Sequence, residues 1–142
     1  MRTMSYRFVA GIHLAGILAA AGIVALTSGI ERLAEDHRRA RTLAHQIAEA
    51  PGLRLDLAAV HTNIVAVDVS AGHIDAERFV ARLAERGVLG YRRSPTLVRF
   101  VAHRLIGDRE IEEAAAAIIA TARSEMRPNT VEFTDVPAPR HA

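Results

Sequence analysis

Apolar and polar positions alternate along this chain with changing period. Residues 8–27, FVAGIHLAGILAAAGIVALT, from Phe8 to Thr27, are uncharged, and His13 is the one ring nitrogen among them. Such a run predicts a long apolar helix, and eighteen or more nearly uncharged residues suffice to cross a hydrocarbon core of roughly 30 Å. The basic lead MRTMSYR and the small residues of ALTSG also fit a targeting signal. Composition weighs against both readings. Ala15, Gly16, Ala19, Ala20, Ala21 and Gly22 contribute little to insertion, which comes mainly from Leu, Ile, Phe and Val. Small residues suit a helix that other protein segments approach closely.

After the turn-prone TSG, the string IERLAEDHRRARTLAHQIAEA sets Ile30, Leu33, Ala34, His37, Ala40, Arg41, Ala44, Ile47 and Ala48 near one side at helical spacing. Pro51 and Gly52 end that amphipathic helix. LRLDL (residues 53–57) alternates apolar and polar, and TNIVAVDV (62–69) is rich in β-branched residues; both read as strands. A helix over residues 75–86 follows, with Asp75 at its N-cap. GVLGY and TLVRFVA give two further strands separated by the turn RRSP. GDREIEEAAAAIIATARSEM gives the last helix, with Asp108 complementing the dipole in its first turn.

The order helix, helix, strand, strand, helix, strand, strand, helix predicts an α+β fold: a small, mainly antiparallel sheet with helices on one face, preceded by the long apolar helix. Residues 1–7 form a short lead, 8–126 one domain, and 127–142, rich in Pro and polar residues, a loose tail.

Composition narrows the chemistry. The chain has 142 residues, half of them apolar and 24% charged, the size and balance of one folded domain. Without Cys there is no disulfide, thiolate nucleophile or cysteine metal site. All 18 basic residues are Arg, and there is no Lys. A Schiff base to a carbonyl compound needs a lysine amine, which Arg with its pKa above ~12 does not replace. With a net charge of +2, dispersed Arg and 4% aromatic residues, a nucleic-acid surface has little support. His37 and His45 are separated by Arg41 on the same side, which is hostile to a cation, and no HExxH pair is present, so no metal site is expected. The adjacent acids Glu35 and Asp36, like Glu112 and Glu113, diverge on a helix and read as solvated faces. No phosphate loop follows a strand, so no nucleotide site is expected.

The strings AGILAAAGIVAL, ERLAEDHRRARTLA, PGLRLDL, HTNIVAVDV, LAERGVL and VRFVAH, in this order, resemble the C-terminal small domain of low-specificity threonine aldolases and related β-eliminating lyases. These are fold-type I pyridoxal-phosphate enzymes of amino acid metabolism, and the resemblance runs from about Phe8 to Ala120. It implies that residues 8–27 are the family's interdomain helix, apolar because the large domain and a dimer mate cover it. It implies further that the cofactor lysine, the aspartate on the pyridine nitrogen and the main phosphate loop belong to a large domain. With no Lys, no internal aldimine forms on these 142 residues; no catalytic residue and no covalently bound pyridoxal phosphate is expected here.

One site residue carries over. A strand arginine of the family, ahead of a Thr-His segment, binds the substrate α-carboxylate through a bidentate fork, and the matching residue is Arg99 in TLVRFVAH. On the residues alone, a solvent-facing sheet arginine is the favoured reading, and the resemblance brings the two readings level. Two segments depart from the family pattern. Gly-Gly-Gly-Met-Arg-Gln stands here as Val9-Ala10-Gly11-Ile12-His13-Leu14, and Thr-His-x-Asp-Val-Ser as Ala102 to Gly107, which keeps only His103. The expectation is a cytoplasmic, truncated or split lyase domain, inactive alone, that self-associates or pairs with a chain carrying the large domain. Two alternatives stay open: a membrane-anchored domain with residues 8–27 as the span, and a stand-alone carboxylate-binding module.

Overall fold

The computed structural model describes residues 15–125. The first helix, α1 (Ala15–Val24), runs on into one π turn, Ala25–Gly29. The wider turn has a local cause: the Thr27 hydroxyl donates to the Ile23 carbonyl at 2.9 Å and Ser28 to Val24 at 2.8 Å, so side chains compete for the carbonyls of the helical ladder. The expected long apolar helix over residues 8–27 is therefore not found in that form. Its first part, Phe8 to Leu14, lies outside the described residues, and the turn-prone TSG belongs to the π turn. The axis then bends by 72° into α2 (Leu33–Ile47). Among the described residues no single helix is long and apolar enough to cross a membrane; only this bent pair reaches both the length and the mean hydropathy, and its second half carries five charged side chains, Glu35, Asp36, Arg38, Arg39 and Arg41.

Helix α2 presents Asp36, Ala40, Leu43, Ala44 and Ile47 to the interior. The buried stripe is rotated from the expected one: Leu43 enters it, while Ile30, Leu33, Ala34 and Arg41 are exposed. Asp36 is a second correction, because it is buried and not part of a solvated face. Arg32 holds it at 2.9 Å and Arg39 lies at 3.8 Å, the pairing that a buried carboxylate requires.

Beyond the turn at Pro51-Gly52, the expected strand LRLDL is reduced to an isolated bridge. Arg54 and Asp68 exchange both backbone hydrogen bonds at 2.8 Å. Pairing stops there because the Asp56 side chain accepts from the Ala58 N–H at 2.9 Å and turns the chain into a 3-10 segment, Leu57–Ala59. The remaining strands form one antiparallel sheet in the order β1-β3-β2, with β1 Ile64–Asp68, β2 Tyr91–Arg92 and β3 Leu97–Val101.

Helix α3 (Ala76–Ala84) starts where the sequence places it, with the Asp75 carboxylate accepting from the Arg78 N–H at 2.7 Å. It stops at Gly87, whose φ of +78° lets Val88 N–H reach the Leu83 carbonyl and Gly87 N–H reach Ala84 in a Schellman closure. That closure takes Gly87 out of the expected strand GVLGY. Gly90 lacks a Cβ for a separate reason: one would lie 2.9 Å from Phe100 Cε1 and 3.0 Å from a Val98 methyl. Pairing is thus left to Tyr91 and Arg92, and the turn falls after Arg92, fixed by Ser94 Oγ accepting from the Leu97 N–H at 3.0 Å.

The last helix, α4 (Asp108–Glu125), is closed at its start by Glu110, which accepts from the Gly107 N–H at 2.9 Å. Its inner side brings Ile111, Ala115, Ile118 and Ala122 into one core with Ala40, Ala44 and Ile47 of α2, Phe79 and Leu83 of α3, and Val65, Val67, Val98 and Phe100 of the sheet. The fold is α+β, as the pattern predicts, and α2, α3 and α4 cover the sheet face that carries these four side chains.

Candidate functional site

Strand β3 is central, hydrogen bonded to β1 on one side and β2 on the other. Its side chains alternate: Val98 and Phe100 enter the core, and Leu97, Arg99 and Val101 take the opposite face. Arg99 stands directly across from Ala66 of β1 and Tyr91 of β2. The Ala66 methyl leaves room on one flank. On the other, the Arg99 guanidinium carbon lies 5.1 Å from the centre of the Tyr91 ring, within cation–π range.

The Arg99 Nε is buried and has no hydrogen-bond partner. A buried donor on a charged group is costly to leave unmade, so the site is incomplete as a hydrogen-bonding unit. The nearest acid along the same face of β1, Asp68, is otherwise engaged. Its Oδ1 accepts from the Ser70 N–H at 2.7 Å, a bond that, helped by the charge of Arg54, holds the carboxyl below its ordinary range. Among the described residues no carboxylate pairs with Arg99. A planar cation with fork geometry and no anion paired with it among the described residues is suited to an external carboxylate.

His103, the residue retained from the second family segment, lies elsewhere. Its Nδ1 accepts from the Leu105 N–H at 3.3 Å, and it lines a cleft of about 360 Å³ with Leu43, Phe100, Ile106, Ile111 and Arg86. Arg99 does not line that cleft, so the two residues that carry the resemblance on β3 and its exit are not brought together around one cavity. Among the described residues no three His, Asp or Glu side chains converge on a possible metal position. His13 lies outside the described residues.

Sequence reasoning missed Tyr91. The signal was present, an aromatic ring at the end of GVLGY, but its meaning depends on the β2–β3 register, which pairs it with Arg99.

Comparison with known proteins agrees with the resemblance. A family profile described as Beta-eliminating lyase matches residues 2–71. The chain is 35% identical over 97 residues to low-specificity L-threonine aldolase 1 of Arabidopsis thaliana, covering 68% of this chain and 27% of that protein. It is 36% identical over 103 residues to the probable low-specificity L-threonine aldolase 2 of the same plant, covering 72% and 29%. Against the low specificity L-threonine aldolase of Escherichia coli, identity is 38% over 106 residues, 75% of this chain and 30% of the relative. The chain thus spans less than a third of the length of the threonine aldolases it matches. On its own sequence and on these relatives, it belongs to the β-eliminating lyase family.

Proposed function

We propose that this chain is the small-domain part of a threonine-aldolase-like, pyridoxal-phosphate-dependent lyase, and that Arg99 binds the α-carboxylate of its amino-acid substrate. The observation that carries the reading is the buried, unpartnered Nε of Arg99, on the sheet face that the helices leave open. A solvated surface arginine satisfies its donors with water, whereas this one has a donor withdrawn from water and, among the described residues, no acid paired with it.

Pyridoxal phosphate, when bound, supplies the electron sink for amino-acid cleavage. The side chains of these 142 residues do not fit covalent attachment of that cofactor, because none of them is a lysine. The lysine is contributed by polypeptide outside these residues, and the chain is inactive without it. Helix α1 supports such a partnership. None of its residues is buried, and Ile17 and Leu18 are 79% and 62% exposed. Its partner is a second copy or a separate chain carrying the large domain. The same reading puts the protein in the cytoplasm, and recovery in membranes after a carbonate wash of fractionated cells would return residues 8–27 to the anchor reading.

Two measurements test the proposal. Acetate or glycine titrated into the purified chain shifts the side-chain N–H resonance of Arg99 and gives a calorimetric binding signal, and Arg99→Ala abolishes the calorimetric signal; an unaltered binding signal in the variant refutes the assignment. Mixed with pyridoxal phosphate and borohydride, the chain acquires no side-chain adduct, and one mapped away from the N-terminal amine contradicts the division of labour.

A further inference from the structure

Resting on the reading of Arg99 as the carboxylate residue, we infer that Tyr91 is the positioning residue of that site: its ring holds the Arg99 guanidinium so that the Nη1/Nη2 edge meets the incoming carboxylate. Three observations converge. The antiparallel register sets Tyr91 opposite Arg99, a placement in which Cβ atoms lie about 5 Å apart and side chains interact directly. The guanidinium carbon is 5.1 Å from the ring centre. Nε is buried without a partner, and Nη1 and Nη2 make no hydrogen bond among the described residues.

An arginine side chain has several rotatable bonds and loses much rotamer freedom when fixed. The other flank of Arg99 does not supply that restraint, because the cross-strand neighbour there is Ala66. Asp68 does not supply it either, being held by Ser70. Among the cross-strand neighbours of Arg99, the Tyr91 ring is therefore the one that limits its freedom before a ligand arrives. A ring against the guanidinium plane leaves the in-plane donors available for a carboxylate, which an acid in the same place would occupy. With Nε shut away, the side-on fork formed by Nε and one Nη is closed, and the end-on Nη1/Nη2 pair remains.

Acetate titration of the full chain, followed at the Arg99 side-chain N–H signals, tests the inference; those signals are assigned by their loss in Arg99→Lys. In the wild type the Nη signals move more than Nε–H. Tyr91→Phe keeps the ring and binds acetate within about twofold of the wild type. Tyr91→Leu keeps an apolar residue at the strand end but removes the π face. It weakens acetate about 2–5-fold, the range of an exposed cation–π contact. It also removes the ring-current displacement of the Arg99 signals in the absence of acetate, a signature that a general loss of packing does not mimic. Tyr91→Leu binding as tightly as the wild type overturns the role of Tyr91 and leaves Arg99 as the carboxylate residue. Tyr91→Phe falling as far as Tyr91→Leu also overturns it, since the hydroxyl would then be the active group. A wild type whose Arg99 signals ignore acetate removes the Arg99 reading itself, and this inference with it.

Discussion

Arg39 of α2 donates through Nε to Asp108 at the start of α4, a 3.0 Å contact between residues 69 positions apart. Arg38 reaches the same oxygen at 2.7 Å, and Arg39 lies 3.8 Å from the buried Asp36 and 3.4 Å from Glu35. One guanidinium thus joins three carboxylates on two helices and fixes where α4 begins relative to α2. The same Asp108 complements the positive end of the α4 dipole.

The network predicts an acid-side loss of stability. The bonds from Arg38 and then Arg39 hold the Asp108 carboxyl below its ordinary value of 3.8. A group with a depressed folded-state pKa contributes stability that is present above the unfolded value and is lost as pH falls through the folded one. Asp68, lowered mainly by the Ser70 N–H, and Glu110, lowered by backbone N–H bonds and by Arg109, act in the same direction. Urea midpoints measured from neutrality down to about pH 2 should stay level until about pH 4 and then decline. Asp108→Asn should start lower at neutral pH and decline less, and a variant curve parallel to the wild type would remove Asp108 from the explanation.

Phe79 is fully buried where α3 packs against α4 and the sheet. Phe79→Ala removes a ring that the close-packed core does not refill, and should cost about 3–5 kcal/mol. Urea unfolding followed by circular dichroism measures it, and a loss under about 1 kcal/mol would mean that this interface is loosely packed.

Arg99 should be expendable for folding. Replacing it by Met removes a buried donor without an acceptor, so stability should stay the same or rise by up to about 1 kcal/mol while the acetate response disappears. A structural arginine behaves in the opposite way, and a loss of 2 kcal/mol or more in Arg99→Met would assign it that role.

Helix α1 should govern association without governing the fold. Ile17 and Leu18 are exposed, and each Å² of apolar surface withdrawn from water is worth roughly 25 cal/mol. In sedimentation experiments the wild type should be heavier than a monomer, or should bind a large-domain chain. Ile17→Glu with Leu18→Glu should be lighter, with the same unfolding midpoint as the wild type diluted until it no longer associates, because no residue of α1 is buried within the chain. A wild type that sediments as a clean monomer and binds no partner would refute the role given to this helix.

Local chemistry was legible in the sequence because it acts over a few residues. Asp75 caps α3, Asp108 opens α4, and the alternation in TLVRFVA puts Arg99 on the face opposite Val98 and Phe100. The absence of Lys excludes an internal aldimine on this chain whatever its fold. Only the tertiary structure decided the rest. LRLDL has the period of a strand, but Asp56 captures the Ala58 N–H and leaves only Arg54 paired, a contest between a side chain and a ladder that periodicity does not register. Asp36 reads as a surface acid until α2 brings Arg32 and Arg39 around it. The pairing of Tyr91 with Arg99 depends on strand register, a contact made in space between segments whose sequences carry no mark of each other.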